Sequence, residues 1–234
     1  MKIKLLGQAG LQIDLKNGAR ILVDPYLTDT LREQKGERFL RQIPPPENAE
    51  AWNPDILLIT HDHGDHLDMA TLEHWLDGDR SLPILGPYPV FRAIADRWPS
   101  RHNCMVMRPG VEVSLSGACF CAVPAFHETM DAVGYLVKAE GKTVYISGDT
   151  LYSRQIPDFL KGERIDVALV CINGIGNNMN PTDAARLAEA IQPGMAIPIH
   201  WDMFSSLGAD PRDFVSGLSG VPAKILRAYE EIHI

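Results

Sequence analysis

Four apolar runs of this chain each end in a metal-binding side chain. Asp55-Ile56-Leu57-Leu58-Ile59-Thr60 leads into His61-Asp62-His63-Gly64-Asp65-His66, and Phe120-Cys121-Ala122-Val123-Pro124-Ala125-Phe126 leads into His127. Thr143-Val144-Tyr145-Ile146-Ser147-Gly148 leads into Asp149, and Met195-Ala196-Ile197-Pro198-Ile199 into His200. Each run has the length and the aliphatic, β-branched content of a buried strand. A chain built this way is tightly constrained, because its strands must lie in sheets whose ends converge on one cleft.

The spacing predicts a two-metal hydrolytic site. His61, His63 and His127 can hold a first ion and Asp65, His66 and His200 a second, with Asp149 bridging them. Two such ions typically lie about 3.5–4 Å apart and activate a water between them. Asp65 is the candidate to orient that water and take its proton. A serine nucleophile is unnecessary, and the chain has no Gly-x-Ser-x-Gly elbow. His74, His102 and His233 lack the strand-end context and read as ordinary polar residues.

His61-Asp62-His63-Gly64-Asp65-His66, followed by His127, Gly148-Asp149-Thr150 and His200, resembles the metallo-β-lactamase-fold hydrolase superfamily. Asp24 in Ile21-Leu22-Val23-Asp24-Pro25 matches an early aspartate of that superfamily, which supports the site rather than binding metal. Within it, the chain is most similar to the L-ascorbate-6-phosphate lactonase-like group. That likeness rests on His61 to Asp68, Asn178-Met179-Asn180-Pro181-Thr182-Asp183-Ala184, Ile197 to Phe204, and Ala209-Asp210-Pro211. The resemblance implies an α/β (α+β) fold, a four-layer αββα sandwich. It also implies a metal-dependent hydrolase acting on the lactone of a small, phosphorylated sugar acid. A phosphodiesterase acting on a small phosphodiester is the alternative, and a non-catalytic metal-binding protein a third reading. The resemblance favours manganese, while imidazoles and carboxylates without thiolates also suit zinc or iron as the two divalent ions.

The 234 residues accommodate one such domain, 1–234. A formal charge of −8 argues against nucleic acid, since backbone phosphates need a basic surface. The expected partner is a small anionic molecule, and self-association is left open. Gly7-Gln8 cuts the first apolar run too short for a secretory segment, and no run approaches membrane-spanning length. Cys104, Cys119, Cys121 and Cys171 show no CxxC spacing, which fits reduced thiols in the cytoplasm.

Between the opening strands and the histidine loop, residues 28–53 are polar and end in Pro44-Pro45-Pro46. They read as a flap beside the site. Arg32, Lys35, Arg38 and Arg41 recur every three residues there, and Arg38 and Arg41 are the candidates to reach a substrate anion. The Gly- and Asn-rich stretch Asn173 to Asn180 should lie on the same rim, which makes Asn178 and Asn180 candidate substrate contacts.

Overall fold

The computed structural model describes residues 1–48, 52–77, 81–99 and 103–234, so His102 and positions 49–51 of the 28–53 segment lie outside the described residues. The chain opens with the antiparallel strands β1 (Lys2–Gly7), β2 (Gly10–Asp14) and β3 (Arg20–Val23), with Asn17-Gly18 in the turn before β3. The parallel strands β4 (Ile56–Leu58), β5 (Pro83–Gly86) and β6 (Asn103–Val106) extend this sheet. The second sheet holds β7 (Glu112–Leu115), β8 (Ala118–Pro124), β9 (Val133–Ala139), β10 (Lys142–Ile146), β11 (Val167–Cys171) and β12 (Ala196–Ile199). The last strand, β13 (Glu231–His233), pairs antiparallel with β1. The sheet orders are β13-β1-β2-β3-β4-β5-β6 and β12-β11-β10-β9-β8-β7.

Both sheets are buried on two faces, and the period-two rule shows how. Ile21, Val23, Ile56 and Leu58 point inward with Phe120, Tyr135, Val144, Ile146 and Leu169 of the other sheet. Their neighbours Leu22, Leu57 and Ile59 face outward onto Leu72, Trp75, Val90 and Ile94 of two helices, α2 (Met69–Leu76) and α3 (Tyr88–Arg97). Ala168 and Val170 face outward in the second sheet, under Ala184 and Leu187 of α5 (Pro181–Ile191) and Phe214 of α6 (Pro211–Ser216). The helix at Gln155–Phe159, α4, adds Ile156 to the same layer. The result is the expected four-layer αββα sandwich. Neither β5, β13, α4 nor α6 stands out in the sequence, since each is short and bounded by turn residues.

Register places the chemistry. β1, β3 and β4 run in one direction, as do β8, β10, β11 and β12. Gln8, Asp24, the histidine loop, His127, Asp149 and His200 therefore leave the C-terminal ends of their strands at one rim.

The described part of the 28–53 segment forms a short helix, α1 (Thr30–Lys35), and one 3-10 turn (Glu37–Phe39). Phe39 packs edge-on against Phe204 at 5.3 Å, and Arg41 forms a bridge with Phe204. Thr28 and Thr30 donate their hydroxyls to Asp68, which starts α2 just after the histidine loop. Packing thus holds the segment against the rim at two places. No helix among the described residues is long and apolar enough to cross a membrane.

Candidate metal centre

The histidine loop hangs from Asp24, a buried carboxylate at φ +42°. Asp24 accepts hydrogen bonds from the Thr60 amide at 2.8 Å, the Thr60 hydroxyl at 2.6 Å and His66 Nδ1 at 2.8 Å. These bonds decide the tautomers. Because the Thr60 hydroxyl donates to Asp24, it accepts from His61 Nδ1 at 3.0 Å. In the neutral rings His61 Nε2 and His66 Nε2 are then the nitrogens left without a proton, and both point inward. His127 Nδ1 donates to the Asn177 carbonyl at 3.3 Å, and His63 Nε2 lies 3.6 Å from Glu128. His127 Nε2 and His63 Nδ1 are left facing each other at 3.2 Å.

Three groups of donor atoms result, each within 4.8 Å: His61, His63 and His127; His61, His66 and Asp149; and Asp65, His66 and His200. The middle group shares a histidine with each of the others, which puts Asp149 between them. His66 Nε2 and His200 Nε2 lie 3.2 Å apart, His200 Nε2 is 3.3 Å from Asp65, and both histidines are 3.4 Å from Asp149. Two bare imidazole nitrogens repel at that distance unless a proton or a cation lies between them. His61 Nε2 and Asp149 Oδ1 are buried without a hydrogen-bond partner, which is costly for polar atoms unless something else satisfies them. The donor set fits bound metal cations on these grounds.

Electrostatics points the same way. Burial holds the His61 imidazole well below its ordinary pKa, so it is neutral and its lone pair is free. Burial opposes charge on His66 too, but the Asp149, Asp24 and Asp65 carboxylates outweigh it and drive His66 well above the usual value. Burial likewise opposes ionisation of Asp65, and His66 and His200 overcome it and hold that carboxyl below its ordinary range. Clustered buried carboxylates of this kind draw positive charge inward.

Over these donors lies a cleft of about 240 Å³ that Lys35, Arg38, Phe39, Asn173 and Asn178 help to line. Asn178 does not simply face the cleft: its amide donates to Asp149 Oδ2 at 2.7 Å and so orients that carboxylate. The other substrate candidates divide. Asn180 caps α5, accepting from the Asp183 amide at 2.9 Å, and does not line the cleft. Arg41 is buried and donates to the carbonyls of Tyr26, Thr28 and Ile43 at 2.8–2.9 Å, with its guanidinium 4.6 Å over the Tyr26 ring. It holds the flap and is unavailable to substrate. Arg38 reaches the cleft, as does Lys35, which sequence reasoning passed over although it lies on the same three-residue spacing. Gln8 was also missed: it read only as an interruption of an apolar run, yet it donates to Asp65 at 2.7 Å.

Three backbone positions here, Gln8, Asp24 and His200, sit at positive φ, a region side chains other than glycine's seldom adopt. Positive φ also occurs at turns elsewhere in the chain, such as Ser116, Glu140 and Gln192, so backbone strain accompanies the site without marking it.

A beta-lactamase superfamily domain matches residues 19–201. Over the full length of both chains the sequence is 31% identical to a UPF0173 metal-dependent hydrolase of Pyrococcus abyssi. It is 28% identical to an Escherichia coli O127:H6 protein named "Probable L-ascorbate-6-phosphate lactonase UlaG", over 89% of this chain and 71% of that one. Igni18, a metallo hydrolase from Ignicoccus hospitalis, has the same fold, with a TM-score of 0.78 at 20% identity over 99% of this chain and 97% of that one. The domain match and the full-length likeness make this chain a member of the beta-lactamase superfamily and one of its metal-dependent hydrolases of the metallo-β-lactamase fold.

Proposed function

We propose that the chain, as one domain, hydrolyses the lactone of a small, anionic and typically phosphorylated sugar acid, and that it works in the cytoplasm with two divalent cations, manganese or zinc before iron. The observation that carries this reading is a donor set of five imidazoles and two carboxylates at the base of a cleft that two cationic side chains, Lys35 and Arg38, help to line. Neither Lys35 nor Arg38 has an ion pair among the described residues, whereas Arg32 is paired with Asp29 and Glu37. The likeness to a protein named as an ascorbate-6-phosphate lactonase supports the substrate class. All four cysteines are free thiols, in keeping with a reducing compartment.

His61, His63 and His127 would hold one cation, Asp65, His66 and His200 the other, and Asp149 both. Bound there, the cations supply a lowered pKa for an attacking water and polarise the bond under attack. Asp65 orients the water and receives its proton. Asn178 keeps Asp149 in place, and Lys35 and Arg38 seat the substrate's phosphate or carboxylate.

A phosphorylated sugar-acid lactone and bis-p-nitrophenyl phosphate, assayed side by side with each metal, test this. Lactone opening that disappears in Asp65→Asn supports the reading. Phosphodiester turnover with no lactone opening would replace it with the phosphodiesterase alternative.

A further inference from the structure

Gln8 sits against the second donor triad without belonging to it. The residue is 2% exposed and lines the cleft. Its Nε2 lies 2.7 Å from Asp65 Oδ2 and 3.1 Å from His200 Nε2. Since an ionised carboxylate only accepts, the amide nitrogen and not the oxygen must face Asp65. The backbone fixes this placement. Gln8 has φ +55°, its carbonyl accepts from the His200 amide at 2.8 Å, and its own amide donates to Asp202 at 3.3 Å.

Valence then decides what the side chain can do. The amide nitrogen carries two hydrogens, one directed to Asp65 and one to His200. An imidazole nitrogen has a single in-plane lone pair. Once His200 Nε2 commits that pair to a cation, the second Gln8 hydrogen has lost its acceptor, and the cleft is the open side from which another can come. Leaving a buried donor unpaired is unfavourable.

We propose that Gln8 is a catalytic residue whose second amide hydrogen is donated to the substrate oxygen that gains negative charge as water adds. In a lactone this is the carbonyl oxygen, and in a phosphodiester a non-bridging oxygen. Gln8 supplies a hydrogen bond and no proton. The water oxygen forms the new bond and its proton passes to Asp65; the bond from carbon or phosphorus to the ring or ester oxygen then breaks, and that oxygen takes up the proton from Asp65 or from solvent water. The inference rests on metal-dependent hydrolysis and not on the choice of lactone over phosphodiester. A neutral donor preorganised where charge develops accounts for roughly 10²–10³ in kcat elsewhere.

The test compares metal-loaded wild type with Gln8→Ala, Gln8→Glu and Gln8→Asn. Metal equivalents are measured by mass spectrometry, inorganic phosphate binding by calorimetry, and kcat and KM on whichever substrate is turned over. Asn tolerates the positive φ of this position better than Ala does, which controls for backbone strain, but it is one methylene too short to reach. The expected result is unchanged metal content in all three, phosphate binding weakened about tenfold, and kcat lowered by roughly 10² with a smaller change in KM. Phosphate and metal readouts need no identified substrate, so they stand apart from the outcome of the lactone assay. Three results would overturn the proposal. Metal loss in Gln8→Ala with full kcat at saturating metal would reduce Gln8 to a tether of Asp65. Tighter metal binding with retained kcat in Gln8→Glu would make the side-chain oxygen a ligand. Wild-type phosphate binding and kcat in Gln8→Ala or Gln8→Asn would remove the contact altogether.

Discussion

Asp24 shows how one buried side chain sets the chemistry of several others. By accepting from Thr60 and His66, it assigns the proton of His66 directly and that of His61 through the Thr60 hydroxyl. The isosteric Asp24→Asn keeps the volume but offers His66 Nδ1 only one acceptor oxygen, and it removes a charge that favours a bound cation. Metal affinity is expected to fall about 10- to 100-fold, with activity returning in part at high metal concentration, as metal titration of the two proteins would show. Unchanged affinity would mean that Asp24 matters only for folding. The metal-binding residue types were readable because histidines and aspartates at strand ends form a local pattern. Gln8 carries no such mark. Glutamine in an N-terminal apolar run has many ordinary explanations, and its partners lie 57 and 192 residues away.

At the scale of the element, the row of cations on the flap is instructive. Arg32, Lys35, Arg38 and Arg41 share a spacing, yet α1 ends at Lys35 and the backbone turns at Gly36, which has φ +88°. The turn sends Arg38 to the cleft and Arg41 into the protein. Arg41→Ala should strand three carbonyls and lower stability by about 3 kcal/mol, measurable by urea unfolding. Arg38→Ala should leave the unfolding midpoint unchanged and raise KM for an anionic substrate about tenfold, a loss of roughly 1.4 kcal/mol. Equal effects of the two substitutions on stability would contradict the division of roles. Helix α5 gives a further contrast. Asn180→Ala removes the cap of α5 and should cost about 1 kcal/mol with kcat intact. Asn178→Ala, two residues earlier, frees Asp149 and should lower kcat. Both asparagines occupy one Asn-rich stretch, and only the direction of the chain into α5 separates a cap from a cleft residue.

For the whole molecule, the rim joins the two sheets. β1 and β4 belong to the first sheet and β8, β10 and β12 to the second, and the donor cluster joins their ends alongside the bond from the His200 amide to the Gln8 carbonyl. Bound cations should therefore stabilise the sandwich as well as activate water. At a thousandfold excess over Kd, one site contributes about 4 kcal/mol, and each kcal/mol moves Tm by about 2–4 °C in a chain of this size. Chelation should lower Tm by roughly 8–16 °C, with recovery on adding metal back in calorimetric scans. No shift would show that the sheets associate without help from the site. Residue type and periodicity alone dictate the two-faced burial of the strands, the donor set at their ends and the family, because each is written in contiguous segments of the chain. Contacts that close over long separations decide the rest: which cations face the cleft, which asparagine orients Asp149, and that Gln8 lies beside Asp65. Their physical cause is packing between elements far apart in sequence, which no local pattern encodes.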